Sequence, residues 1–76
     1  MERAEVKQLL LEARGIPLDS EHVQALTAIQ IQLGDAIGDH SPGGKTNQFN
    51  DLFVTWRMSG EPVRDALVDR VCQLME

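Results

Sequence analysis

GDHSPGGKTNQF, residues 38–49, admits two readings that lead to different folds. Gly44-Lys45-Thr46 is the ending of a phosphate-binding loop, in which the pattern G-x-x-x-x-G-K-[ST] wraps successive backbone N–H groups around a phosphate. Such a loop needs a buried strand before it and a parallel sheet around it. Counted back from Lys45, however, the first glycine of the pattern falls on Asp39. A carboxylate there puts negative charge where phosphate must lie. The segment upstream also has the wrong period, since Val23, Leu26, Ile29, Leu33 and Ile37 recur at helical spacing. Residues 38–46 are therefore read as a connection between two helices: Gly38 stops the first, Pro42 and the glycine pair reverse the chain, and Thr46 or Asn47 caps the second. A weaker anion site survives in this reading, made of Gly43, Gly44, Lys45 and Thr46 at the start of the second helix.

Working outward, Phe49, Leu52, Phe53 and Trp56 form one helical face that carries all the aromatic residues, two Phe and one Trp. That face is expected at the centre of the core. Upstream, Val6, Leu9, Leu10 and Ala13 stand at i, i+3, i+4 and i+7, and Gly15 and Pro17 end the run, with Gly15 expected in the left-handed conformation. Leu18 and Val23 are placed to pack on each other across the cap Asp19. Downstream, Ser59 is expected as the cap of a last helix with Pro62 in its first turn and Val63, Ala66, Leu67, Val71 and Leu74 inside. The expected fold is all-α in a single domain, with helices over about residues 2–14, 20–37, 47–58 and 61–75, the third one short.

Composition narrows the function classes. A chain of 76 residues buries only about 60% of the surface its unfolded form exposes, so its own core leaves a thin margin. Cys72 is the only cysteine and His22 and His40 the only histidines, too few for a disulfide or a structural zinc site. Oligomerisation is the remaining support, and a helical homodimer is expected. Seven Lys and Arg against 12 Asp and Glu give a net charge of −5, which disfavours direct contact with nucleic acid. No apolar stretch approaches the roughly 20 residues of a membrane span, and the expectation is a cytoplasmic protein with a reduced thiol.

The acidic four-helix layout is similar to that of acyl carrier proteins, in which a serine opening the second helix bears the cofactor arm. That family opens its helix with Asp-Ser-Leu, whereas this chain reads Asp39-His40-Ser41-Pro42-Gly43, and the departure falls on the modified position. Cys72 sits near a helix end where the dipole disfavours a thiolate, and no cofactor or catalytic residue is assigned. More informative are the apolar residues left over after each stripe is drawn: Leu11, Ile31, the pair Val54 and Met58, and the series Val68, Cys72 and Met75. Either they belong to broad stripes in a compact bundle, or they form a seam buried against another chain. The leading expectation is the seam: a non-enzymatic regulatory adaptor that binds a protein through Val54, Met58, Val68, Cys72 and Met75, rimmed by Arg57, Arg64, Asp65 and Asp69. Two alternatives stand beside it: an anion or cofactor carrier using residues 38–48, and a transcription regulator acting through a protein partner rather than DNA.

Overall fold

Four helices make up the computed structural model, which describes residues Met1–Glu76: α1 (Arg3–Gly15), α2 (Val23–Ile37), α3 (Lys45–Ser59) and α4 (Asp65–Leu74). There is no strand, so the all-α expectation holds, while several boundaries differ for identifiable reasons. Helix α1 runs through Gly15, which is helical and not left-handed. Pro17 is responsible, because the residue before a proline is driven out of the helical region, and Ile16 is extended with φ −85° and ψ 125°. Asp19 does cap the next turn, accepting the N–H groups of Glu21 and His22 at 3.0 Å, but regular helix begins only at Val23. At the far end of α2 the sequence reading is correct. Gly38 is left-handed at φ +83° and donates its N–H to the Gly34 carbonyl.

The third helix is not short. It has 15 residues, as many as α2, because its cap lies six residues upstream of its start. Asp39 accepts the Lys45 N–H at 3.0 Å through one carboxylate oxygen, and its own carbonyl accepts the Thr46 N–H at 2.9 Å. Thr46 is thus inside the helix rather than capping it. Its hydroxyl donates to the Gly34 carbonyl at 3.2 Å, in the buried contact between α2 and α3. Gly34 makes that approach possible, since a Cβ there would meet the Thr46 methyl at 3.3 Å.

Helix α4 starts at Asp65, four residues later than expected. Ser59 belongs to the end of α3, where its hydroxyl donates to the Trp56 carbonyl and accepts the Glu61 N–H. The Trp56 indole then holds the Pro62 carbonyl at 3.3 Å, so the connection is drawn back across α3 before a new helix can begin. Val63 consequently lies outside the helix. The face counted from it is right in part: Val71 and Leu74 are buried and Leu67 is half-buried, but Ala66 is exposed and Val68 takes a place in the core instead.

The core joins these to Val6, Leu10 and Ala13 of α1, Ile29 and Leu33 of α2, and Phe49, Phe53 and Trp56 of α3. The three aromatic rings stack in sequence along α3, with centroids 5.5 Å and 5.8 Å apart. At one end of the bundle, α1 and α3 exchange caps. Arg14 donates to the carbonyls of Trp56 and Arg57 at the end of α3, and Arg57 donates to the Ile16 carbonyl just past α1. No helix is long and apolar enough to cross a membrane.

Candidate functional site

The loop that raised the nucleotide question supplies its own anion. The Asp39 carboxylate accepts from the Ser41 N–H, the Ser41 hydroxyl and the Lys45 N–H. These bonds favour its ionised form and hold it below its ordinary value of 3.8, the Ser41 hydroxyl contributing most. The Gly44 N–H goes to the Ser41 carbonyl, and a Cβ on Gly44 would fall 2.6 Å from both the Asp39 carboxylate and the Ser41 hydroxyl. The Lys45 ammonium reaches the carbonyl of Glu76, away from the loop. Of the four anion-site candidates, then, Gly44, Lys45 and Thr46 commit their N–H groups within the chain, and Gly43 is a turn residue with φ +72°.

Because Asp39 ionises more readily in the folded chain, it favours folding above its ordinary value, and the advantage is lost as pH falls through its lower folded value. Asp39→Ala is expected to lower the melting temperature at neutral pH by about 5 °C, the scale of a lost helix cap in a domain this size. The difference from wild type should shrink on acidification below about pH 3.8. Thermal melts monitored by circular dichroism at several pH values check this; a pH-independent difference would assign the loss to packing instead.

The structure disperses the residues expected to form one interface. Val68 is fully buried inside the chain and cannot offer a surface, a consequence of the later start of α4. Arg57, expected on a rim, is only 8% exposed, because its guanidinium turns inward to cap α1. Arg64 pairs with Glu61 at 3.3 Å, and Asp69 and Asp65 pair with Arg3 at 2.8 Å and 3.8 Å. All are exposed and count for little in stability; only the Arg3 pairs tie α1 to α4. Cys72 and Met75 are half-buried and border, with Arg3 and Asp69, a cleft of about 540 Å³ whose walls mix polar and apolar groups.

Of the apolar residues expected in the seam, only Val54 and Met58 remain open to solvent, at 51% and 72%, and they have different companions from those expected. Met58 faces Leu18, Val23 and Leu26 across a cavity of about 700 Å³. Leu18 and Val23, expected to cover each other, are each 54% exposed. Leu18, Leu26 and Met58 also wall a smaller recess of about 90 Å³, where Phe53, Val54 and Arg57 join them. Gln30 continues the lining into a polar recess beside Ile31, Asp35, His40 and Asn50, and its amide donates to Asn50 at 3.0 Å across the two helices. The result is one groove along α2 and α3, apolar towards the α1–α2 connection and polar towards residues 38–46.

One cation, Arg57, lines the smaller recess, and Arg14 lies behind it without lining either hollow. Arg14 lies 4.1 Å from the centroid of the Trp56 ring, and burial, followed by the charge of Arg57, pulls its guanidinium below its ordinary value. Neither Arg14 nor Arg57 forms an ion pair, and the Nε group of each is buried without a hydrogen-bond partner. Nowhere do His, Cys, Asp and Glu gather in threes as a metal ion would need. Comparison with protein-family models, with curated proteins and with solved structures finds no match to this chain.

Proposed function

We propose that this protein is a non-enzymatic interaction domain whose α2–α3 groove receives an apolar segment of another protein. The observation that carries this reading is the convergence of Leu18, Val23, Val54 and Met58, each more than half exposed, on one continuous apolar lining. Single exposed apolar residues are ordinary on protein surfaces; four on the walls of one groove are not. Residues of α2 and α3 wall the groove, and its α2 lining, from Val23 to Asp35, spans about 18 Å. A helix laid in such a groove contacts it through residues at i, i+3, i+4 and i+7. Homodimerisation, expected from the sequence, would bury the same side chains and is distinguished by sedimentation.

Affinity capture from the native host tests the reading with three baits: the wild type, Val54→Glu/Met58→Glu, and Leu11→Glu on α1, where Leu11 is 47% exposed. A partner held by the wild type and Leu11→Glu, but reduced at least about ten-fold with the α3 variant, is the expected result. Equal recovery on all three folded baits would show that the groove is not the binding surface.

A further inference from the structure

We infer that the segment received by the groove is an amphipathic helix bearing a carboxylate, and that this carboxylate meets Arg57 at the groove's apolar end. The inference rests on the proposed groove and adds the chemistry of its occupant.

Arg14 and Arg57 lie together where α1 and α3 end, behind that part of the groove, and of the two only Arg57 lines it. Their hydrogen bonds go to the carbonyls that close α1 and α3, and a helix C-terminus carries roughly half a negative charge. Two termini therefore leave about one positive charge uncompensated around the buried Arg57 and the half-buried Arg14. The nearby carboxylates do not remove it. Glu61 acts on Arg14 only from a distance and is bonded to Arg64, while Asp19, on the edge of the larger cavity, turns one carboxylate oxygen to the N–H groups of Glu21 and His22 and to the His22 ring and bonds neither arginine. Arg57 lines the 90 Å³ recess while 92% buried, with one hydrogen bond from Nη2 and none from Nε. A buried cation so placed favours a partner that brings an acceptor of opposite charge. The recess has room for a carboxylate at the tip of a short side chain, and the adjoining 700 Å³ cavity has room for apolar side chains one turn away. The partner's signature is thus apolar residues at i and i+3 or i+4 with Asp or Glu on the next turn of the same face. Although the chain carries a net charge of −5, it selects against a basic helix at this position.

The test is selection from a phage library of random helix-forming peptides of about 16 residues, run against the folded protein. Expected are peptides with that apolar spacing and one acidic residue at a fixed position. In a synthetic binder, Glu→Gln at that position should weaken the affinity at least about ten-fold, and Glu→Lys more. The Arg57 Nε–H resonance should shift on addition of the Glu peptide and not of the Gln peptide. The substitution is made in the peptide, so folding of the protein is unaffected. Groove binders without a fixed acidic residue, or with Lys or Arg in its place, would overturn the inference and leave the groove reading intact. Binders that tolerate Val54→Glu/Met58→Glu, or a self-association through those residues that excludes every peptide, would overturn both.

Discussion

Phe49→Ala is expected to cost about 3–5 kcal/mol, the largest single loss in the molecule. Phe49 is fully buried, and its ring lies 5.5 Å from that of Phe53, at the start of the aromatic series that α3 carries through the core. Truncation removes the transfer energy of the ring and leaves a cavity that the surrounding core side chains cannot fill without giving up their own contacts. Set against the roughly 4–11 kcal/mol typical of a domain this size, the loss brings the folded state near the limit of its stability. Urea unfolding followed by Trp56 fluorescence measures it. A shift in stability under about 1 kcal/mol would mean that the aromatic face is not the centre of the core.

Gly34→Leu should be the second most damaging change, at about 2–3 kcal/mol, through overpacking rather than a cavity. Even a Cβ at Gly34 would stand 3.3 Å from the Thr46 methyl, so a longer side chain must push α2 and α3 apart and break the Thr46 bond to the Gly34 carbonyl. Gly34→Ala provides the contrast. The close contact is tight by only a few tenths of an ångström, and the gain in helix propensity, up to about 1 kcal/mol, offsets it. Near-neutral alanine beside strongly destabilising leucine, in the same denaturation assay, is the expected pair. Equal, small effects would show that the two helices are free to separate.

Much of this architecture could be read from apolar spacing. The stripes of α1 and α3 match the buried residues Val6, Leu10 and Ala13, and Phe49, Phe53 and Trp56. Gly38 ended α2 as a left-handed glycine should. At Gly15 the adjoining Ile16-Pro17 overrode the glycine; the other errors arose where a contact six or more residues away replaced the local signal. The cap of α3 comes from Asp39 across a six-residue gap, which no capping-box spacing describes. Trp56 delays α4 by holding Pro62, and the delay moved Val68 from an imagined surface into the core. Arg57 follows a tryptophan on an amphipathic helix and reads from sequence as the rim of an interface; its burial depends on the end of α1 arriving beside it. The candidate site was legible in half. Val54 and Met58 stood out as surplus apolar residues, but Leu18 and Val23 were taken to cover each other, and only the fold shows both open on one groove with Met58.

The exchanged caps between α1 and α3 bear on the energetics of recognition. Arg14 and Arg57 join positions more than 40 residues apart, so the last turn of each helix can fray only if the other loses its cap. Helix ends are ordinarily the first parts of a domain to lose order, and here two of them frame one end of the groove. Reciprocal tethering fixes that end before anything arrives. On the proposed reading, a ligand entering there would meet a preorganised receptor and would spend little of its contact energy on ordering it.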